Sequence, residues 1–403
     1  MGLLGVIFVL AAAYGLSVNR KAIHWPVLGW GLGLQLLLAI LILRTPFDTV
    51  FQRIGAGVNR VMGQGQQGAI FVFGDLARSD GPLGVSIAFQ VLPLIIFVSS
   101  LFAVLYYLGI MQWVVRGMAV VMQRVMGASG AESLNIAANV FMGQNEAPLT
   151  IRPFLSKLTE SELMTVMTGG MATISGALLI AYVRIGGISI EHLLTAVIMT
   201  APACLMLAKI IVPETGRPET YGCLPGDVKQ TDVNIIDAIA RGATEGLYLA
   251  LAVGAVLIVF VGLVAVINGI FSSLREATGI AWLPNGLEDV FGIVFAPISW
   301  LLGIPWKDAF TVGNLLGTRM VLNEFVAYVR LGEVQQTLDP RSFTIAAYAL
   351  CGFANFGSIG VQVAGLGSLI PERRSDLARI GPRAMLAATL ANFLTASIAG
   401  LLI

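Results

Sequence analysis

Charged side chains are scarce in this 403-residue sequence. Asp, Glu, Lys and Arg make up 12% of it, and 57% of its residues are hydrophobic, whereas a soluble domain carries about 25% charged residues. The 24 basic and 23 acidic side chains leave a net charge of only +1, so the charge balance indicates no nucleic-acid partner. The composition predicts an integral, multi-pass membrane protein embedded in a lipid bilayer.

Cysteine and histidine are also rare, which excludes several kinds of chemistry. The three cysteines, Cys204, Cys223 and Cys351, stand far apart and predict neither a disulfide framework nor a cysteine-based metal site. The two histidines, His24 and His192, give little material for zinc binding or a proton relay. The sequence also has no Gly-x-Ser-x-Gly nucleophile elbow. We therefore expect that the protein is not an enzyme.

Long uncharged stretches dominate what is present. A membrane-spanning helix needs roughly 20 apolar residues, and eight stretches are candidates. They are Gly2–Val18, Pro26–Leu43, Ser86–Val115, Leu163–Val183, Leu193–Ala208, Gly246–Leu274, Ser342–Pro371 and Ala384–Ile403. The first could be mistaken for a signal peptide, but its basic residues follow the apolar run instead of preceding it, which favours an uncleaved span.

Two further apolar regions are too broken to span the membrane. Leu134–Ile151 contains Gly143 and Pro148 in its middle, and Ala309–Val329 contains two glycines and two charges. Non-helical backbone at membrane depth is tolerated only where protein or a watery cavity covers it. We therefore predict two re-entrant helical hairpins. Phe47–Arg60 and Phe291–Trp306 are predicted to lie at the membrane interface.

The two hairpins belong to an internal repeat. Each carries an Asn-Glu pair, ending in Glu146 or Glu324, and a carboxylate at membrane depth is functional by default. A helix cap follows each pair, at Thr159 or Asp339, and each capped helix then contains a cluster of small polar residues. Such clusters mark the broken helices on which transporters with inverted repeats bind ions and substrate. The repeat therefore predicts a transport site between two halves.

The residues near this site favour a neutral solute. Its candidate side chains are Gln144, Asn145, Glu146, Asn323, Glu324, Asn355 and Ser358, with Asn139 and Thr173 nearby. No Lys or Arg clearly belongs to the set, although an anionic solute would want a cation. A polyhydroxylated or heterocyclic solute fits better, because hydroxyl donors pair with carboxylates and amides match a base edge. Phe353 offers an aromatic face, and the oxygen ligands of Asn139 and Thr173 suit Na⁺.

Several motifs resemble those of the concentrative nucleoside transporter family. They are Gly-Gln-Asn-Glu-Ala-Pro at 143–148, Gly-Thr-Arg-Met-Val-Leu-Asn-Glu-Phe-Val-Ala-Tyr at 317–328, and Cys-Gly-Phe-Ala-Asn-Phe-Gly-Ser-Ile-Gly at 351–360. Pro213-Glu214-Thr215 and the segment from Asn234 to Gly242 are similar to the family pattern as well. The resemblance covers roughly residues 90–403 and indicates a bacterial member.

The resemblance implies a fold and a function. It implies an all-α membrane protein with about eight transmembrane helices and two re-entrant hairpins in an inverted repeat. It further implies a homotrimer in the inner membrane that imports nucleosides, such as uridine, by an elevator mechanism driven by a cation gradient. Retained oxygen ligands favour Na⁺ over H⁺ as the coupling ion, and no organic cofactor is implied.

The resemblance also assigns residue roles. Gln144, Asn145, Glu146 and Leu178 would face the nucleobase. Glu324, Asn355 and Ser358 would hold the ribose, with Phe353 alongside. The Na⁺ ligands would be Asn139, the Met142 carbonyl, Thr173 and the Ile174 carbonyl. Asn145 stands where the family commonly has a hydroxyl residue, which leaves the preference between purine and pyrimidine open.

We divide the chain accordingly into six parts. These are 1–85 (N-terminal helices and an interfacial segment), 86–130 (a scaffold helix and an interfacial helix), 131–212 (the first hairpin and the following helices of a transport domain), 213–285 (a loop and a scaffold helix), 286–383 (an interfacial segment, the second hairpin and the broken helix of the transport domain) and 384–403 (the C-terminal helix).

Three alternatives within transport remain at this point. The first is a proton-coupled nucleoside carrier in which Glu146 or Glu324 titrates. The second is an inverted-repeat transporter of another small polar solute, such as a dicarboxylate, against which the missing cation argues. The third is a channel, for which a site closed by two hairpin tips is less suitable than for alternating access.

Overall fold

A computed structural model describes residues 2–45, 48–78, 86–226, 232–280 and 283–403, and within these ranges the secondary structure is helical without strands. The α-helices are α1 (Gly2–Gly15), α2 (Trp25–Arg44), α3 (Asp48–Phe73), α4 (Leu92–Tyr107), α5 (Ile110–Met126), α6 (Gly130–Asn139), α7 (Glu160–Ala172), α8 (Gly176–Gly186), α9 (Ile190–Ile211), α10 (Ile235–Thr278), α11 (Leu287–Leu301), α12 (Trp306–Val321), α13 (Glu324–Glu333), α14 (Pro340–Leu350), α15 (Phe356–Leu369) and α16 (Arg374–Leu402). Short 3₁₀ helices cover Arg20–Ala22, Gly74–Ala77, Ala147–Lys157 and Pro371–Arg373, and a π-helix covers Ile87–Val91.

Six helical segments among the described residues are long and apolar enough to cross a membrane. They are Trp25–Arg44, Ile87–Tyr107, Glu160–Gly186, Ile190–Ile211, Ile235–Thr278 and Pro371–Leu402. Each overlaps one of the eight stretches predicted from the sequence, so the helical membrane fold is confirmed. The segment Glu160–Gly186 contains α7 and α8 with a break between them, and Pro371–Leu402 ends in α16.

The other two predicted spans form shorter helices. The first, Gly2–Val18, becomes the 14-residue α1, which is about 21 Å long at 1.5 Å per residue. The second, Ser342–Pro371, divides into α14 and α15 with Cys351–Asn355 between them. The stretch Ser86–Val115 is also interrupted, because Gly109 has a positive φ of 78° and separates α4 from α5.

The two arms of the first hairpin, residues 130–157, are helices of different types. Its first arm is α6, which Ser129 and Glu132 begin with a reciprocal capping box. Its second arm is the 3₁₀ helix Ala147–Lys157, and residues 140–146 form the tip. The second arm is not a continuous α-helix because Pro153, inside it, lacks the N–H donor that an α-helical hydrogen bond requires, and Ile151 has non-helical backbone angles.

The second hairpin, residues 306–333, consists of α12 and α13. The helices meet at Leu322 and Asn323, and the Asn323 side chain accepts a hydrogen bond from the Val326 N–H at 2.9 Å to begin α13. Helix α11 lies before this hairpin and turns by 118° into α12. It contains most of the predicted interfacial segment Phe291–Trp306. The other predicted interfacial segment begins at Phe47, outside the described residues, and continues into α3.

In each of the two repeat units, residues 130–186 and 306–369, the second hairpin arm packs against a helix of the other unit. The 3₁₀ arm of the first hairpin contacts α15 of the second unit, while α13 of the second hairpin contacts α8 of the first. Helices α9 and α16, which follow the units, each pack against both α7 and α14. Helix α10 has 44 residues and packs lengthwise on α4. The breaks in both units therefore lie inside one helical body.

Candidate substrate and cation site

Glu324 occupies the first turn of α13 and is 6% exposed. Its Oε1 accepts a hydrogen bond from the Tyr182 hydroxyl at 2.9 Å, and its Oε2 accepts one from the Asn355 amide at 3.0 Å. A buried carboxylate is tolerated only when such partners are present. The partners come from α8 and from the cap of α15, so this cluster joins both repeat units.

Tyr182 was not identified from the sequence, although it lies four residues after Leu178 on the same helix. Its ring is stacked on Tyr328, with centroids 4.5 Å apart, and meets Phe325 edge-on at 5.7 Å. Tyr328 is fixed in turn, because its hydroxyl donates to the Ala347 carbonyl at 2.9 Å. Three buried aromatic rings thus hold the hydroxyl that contacts Glu324.

Asn355 and Ser358 stand together at the beginning of α15, both 5% exposed. The Asn355 side-chain oxygen accepts from the Ser358 N–H at 2.9 Å, while the side-chain nitrogen of Asn355 donates to Glu324. Phe353 is buried in the break that precedes Asn355. The structure therefore brings together three of the residues predicted to hold the ribose, Glu324, Asn355 and Ser358.

The first hairpin contacts the same helix, α15, farther along, near its middle. The Gln144 side-chain oxygen accepts from the Gln362 amide at 3.4 Å. Asn145 packs against Gly365, where any larger side chain would overlap its amide. Gln362 is fully buried on Gly170 of α7, and its own carbonyl oxygen has no hydrogen-bond partner among the described residues. Gln362 is a second residue that the sequence did not reveal.

Glu146 lies apart from Glu324. It accepts from the Gly143 N–H at 3.2 Å and lines a cavity of about 420 Å³ between the first hairpin and helices α4 and α10. The cavity is also lined by Phe102, Tyr106, Phe141, Ser175 and Ala177. Its volume falls within the range of small-molecule sites. Neither Glu324 nor Leu178, which is buried in α8, lines this cavity.

Arg241 lies at the same cavity and holds two carboxylates. It donates to both oxygens of Asp232, at 2.7 and 2.9 Å, and to Glu245 at 2.9 Å. The hydrogen bond from Arg241 lowers the pKa of Asp232, which precedes the spanning segment, below its usual value. These charges are therefore paired, and all three side chains line the cavity that also contains Glu146.

The predicted cation ligands lie where the tip of the first hairpin meets the end of α7. The Asn139 side-chain nitrogen donates to the main-chain and the side-chain oxygen of Asn135, at 3.0 Å each. The Asn139 side-chain oxygen is buried and has no partner among the described residues. Asn139 adjoins Gly169, and the Thr173 hydroxyl donates to the Gly169 carbonyl at 2.9 Å. The Gly176 N–H donates to the Phe141 carbonyl at 3.0 Å, which joins the segment that contains Met142 to the segment that contains Ile174.

This arrangement fits a hard monovalent cation. Helix α7 ends at Ala172, and Thr173 has an extended backbone, so carbonyl groups near the break are released from the helix. The orphaned Asn139 oxygen adds a further ligand. Within the described ranges, no three His, Cys, Asp or Glu residues are grouped so that they could hold a transition metal.

Three family models, all of nucleoside transport or recognition, together match most of the chain. The model of the Na⁺ dependent nucleoside transporter C-terminus matches residues 192–400, and that of the N-terminus matches residues 4–76. Between them, a Gate model described as nucleoside recognition matches residues 88–189. The matches thus include both hairpins and both broken helices.

Similar proteins include transporters with and without an assigned substrate. The uncharacterized transporter YutK of Bacillus subtilis (strain 168) is 42% identical over 408 residues, which is 100% of this chain and 99% of that protein. Sodium/nucleoside cotransporter 1 of Mus musculus is 38% identical over 423 residues, covering 99% of this chain and 63% of that protein.

Solved structures of CNTnw have the same fold. Its inward-facing, substrate-bound state has 40% sequence identity and a TM-score of 0.93, covering 100% of this chain and 97% of that one. A doubly substituted form in an outward-facing state has 39% identity and a TM-score of 0.94 with the same coverage.

Proposed function

Because this chain belongs to the Na⁺-dependent nucleoside transporter family, it is a multi-pass inner-membrane symporter that takes up nucleosides with Na⁺ by alternating access, and we propose which of its residues bind the ribose and which bind the base. The ribose lies on Glu324, Asn355 and Ser358, and the base lies toward Gln144, Asn145 and Glu146. The observation that carries this assignment is that Glu324, through Asn355, and the first hairpin, through Gln144 and Asn145, contact one helix, α15, at different heights.

The spacing along α15 supports a substrate in two parts. Asn355 bonds Glu324 at the beginning of the helix, and Gln362 bonds Gln144 seven residues later. Seven residues of α-helix cover about 10 Å. A sugar and a base joined end to end suit two recognition groups at this separation, whereas a single compact solute would leave one of them without a partner.

Glu324 has the chemistry to recognise a ribose. A carboxylate offers about four lone-pair sites, and Tyr182 and Asn355 occupy one on each oxygen. The remaining sites accept the two vicinal hydroxyls of a ribose. Phe353 covers the sugar from the break before α15. On the other side, the amides of Gln144 and Asn145 supply donors and acceptors to a base edge, and Leu178 closes that side.

Na⁺ enters as the co-transported substrate at Asn139 and Thr173, with the Met142 and Ile174 carbonyls. Bound there, it would supply the positive charge that fixes the end of α7 against the tip of the first hairpin. This explains how ion binding favours nucleoside binding, since the same tip carries Gln144. A proton-coupled cycle does not account for the unpartnered oxygen of Asn139.

Uptake into proteoliposomes tests this function directly. We expect radiolabelled uridine to accumulate under an inward Na⁺ gradient and other nucleosides to compete with it. A pH gradient without Na⁺ should not replace the ion. Equal uptake driven by protons alone would reject the sodium site while leaving nucleoside transport intact.

The moving part in the proposed elevator cycle comprises the two repeat units with α9, while α4 and α10 form the scaffold. Phe102 of α4 lies against Gly176 of α8 across this boundary, whereas Ser100 and Ile239 meet within the scaffold. In a cysteine-free background, cross-linking cysteines at 102 and 176 should stop uptake reversibly. The matched cross-link between positions 100 and 239 should leave uptake active.

The homotrimer is also part of the proposal. Helix α10 exposes large apolar side chains along its length, among them Tyr248 (70% exposed), Ile258 (78%) and Val266 (62%). These face lipid or a second copy, and a homotrimer would use part of this face. Mass measurement in detergent, with correction for bound detergent, distinguishes a trimer from a monomer.

A further inference from the structure

Arg319 is the largest fully buried side chain among the described residues, 1% exposed, in the last turn of α12. Its guanidinium donates to the Gly352 carbonyl at 3.3 Å, to the Ala349 carbonyl at 2.6 Å and to the Asn392 side-chain oxygen. These acceptors are neutral, and in the described part of the chain no carboxylate pairs with Arg319. Buried arginines ordinarily pair with carboxylates, so this one has an unusual partner: the broken end of α14.

Asn392 of α16 extends the network to the other repeat unit. Its amide nitrogen donates to the Cys351 carbonyl at 2.7 Å and to the Ala172 carbonyl at 2.8 Å. Cys351 ends α14, and Ala172 ends α7. The two helix ends are therefore in contact through one side chain, and Gly352 lies so close to Ala172 that a side chain there would overlap it.

The repeat makes the two helix ends comparable. In the first unit, Asn139 stands in the last turn of the first hairpin arm, seven residues before Glu146, beside the broken end of α7. In the second unit, Arg319 stands in the last turn of the corresponding arm, five residues before Glu324, beside the broken end of α14. The first unit brings a neutral oxygen ligand to its helix end, and the second brings a cation.

We propose that Arg319 is a tethered cation that fills, in the second repeat unit, the place that Na⁺ takes in the first. It thereby limits the transporter to one Na⁺ per nucleoside. The proposal rests on the sodium site proposed above. Both helix ends expose carbonyl groups with a partial negative charge, and each end needs a positive charge. One arrives with every transport cycle, and the other is built into the chain.

The placement of the charge supports this role over a merely structural one. A neutral donor would suffice to satisfy two carbonyl groups, and Asn392 already does this for Cys351 and Ala172. The guanidinium adds a full charge that no carboxylate bonds directly: Glu324 attracts it through space, but the Glu324 oxygens are bonded to Tyr182 and Asn355. A second Na⁺ at this position would meet the positive charge of Arg319 and would find the carbonyls of Ala349 and Gly352 already occupied.

The test is the ratio of ²²Na⁺ to radiolabelled uridine taken up by proteoliposomes at fixed membrane potential. We expect one Na⁺ per uridine and a hyperbolic dependence on Na⁺ for the unaltered protein. In Arg319→Ala, a second Na⁺ should enter, which doubles the ratio and makes the Na⁺ dependence sigmoidal, or transport should depend on added guanidinium ion. Arg341→Met is the matched control, because Arg341 also bonds a main-chain carbonyl, that of Gly400, away from both breaks. It should keep the ratio of one.

Several outcomes would overturn the proposal. They are a ratio of two in the unaltered protein, a ratio of one in Arg319→Ala without guanidinium, or a folded but inactive Arg319→Ala to which guanidinium does not restore transport. If Arg319→Ala does not accumulate in the membrane, Arg319→Met fills more of the space and is measured in the same way. Absence of Na⁺-dependent uridine uptake by the unaltered protein would instead refute the proposed function.

Discussion

The hydrogen bond between Tyr182 and Glu324 gives the sharpest prediction for nucleoside binding. Tyr182→Phe removes one hydroxyl and keeps the ring that stacks on Tyr328. A hydrogen bond to a charged group contributes about 1.5–3 kcal/mol. Since each 1.4 kcal/mol corresponds to a factor of about ten, the loss of an oriented carboxylate should raise the KM for ribonucleosides by about tenfold or more.

The same variant should discriminate less between ribo- and deoxynucleosides. In the proposed site, Tyr182 holds Glu324 so that its free lone pairs face the sugar, and a missing sugar hydroxyl would leave an acceptor unsatisfied at a cost of about 1–3 kcal/mol. Without Tyr182, the carboxylate rotates to find another donor. Initial rates of uridine and 2′-deoxyuridine uptake over a range of concentrations measure both effects.

Tyr328→Phe is the matched control for this experiment. It also removes one buried hydroxyl from the aromatic cluster, but that hydroxyl donates to Ala347 and does not touch Glu324. It should lower stability while leaving sugar discrimination unchanged. Equal effects of the two variants on KM and discrimination would refute the assigned role of Tyr182, because a general disturbance of the cluster would then explain both.

Three other changes probe the rest of the site. Glu324→Gln should abolish most uridine uptake while the protein still reaches the membrane in normal amount, and near-normal uptake would disprove the ribose role. Thr173→Ala removes a proposed oxygen ligand and should raise the Na⁺ concentration for half-maximal uptake several-fold, with a smaller effect on uridine affinity at saturating Na⁺; an unchanged Na⁺ dependence would contradict this. Gln362→Leu frees Gln144 and should alter the relative uptake of purine and pyrimidine nucleosides without altering Na⁺ dependence, whereas an unaltered preference would place Gln144 away from the base.

The hairpins and broken helices could be predicted because their signals are local. Two Asn-Glu pairs in apolar sequence, a cap after each pair and a polar break after each cap are properties of short segments. The structure confirms the capping box at Thr159 and Glu162, with hydrogen bonds of 2.9 and 3.1 Å, and the cap at Asp339. Thr159 and Asp339 therefore mark the starts of α7 and α14 correctly.

The sequence is less informative about residues whose polar partners are determined by tertiary contacts. Tyr182 and Gln362 look like ordinary residues of apolar helices, and only the crossing of α8 with α13, and of α15 with the first hairpin, gives them polar partners. The second arm of the first hairpin was expected to be a half-helix like the other arms. Its prolines favour the tighter 3₁₀ form, which the hydrophobic pattern alone does not distinguish.

The bonds of Arg319 could not be predicted from the sequence, because they depend on tertiary contacts. Arg319 forms no direct bond with the proposed substrate residues. It bonds the end of α14, while Asn392 joins that end to Ala172 of α7. Thr173, a proposed Na⁺ ligand, directly follows Ala172, and Asn355, a proposed ribose ligand, comes four residues after Cys351. A displacement of either helix end must therefore strain the bonds of Asn392. We expect this shared side chain to be the physical link through which ion binding in one unit orders the nucleoside site in the other.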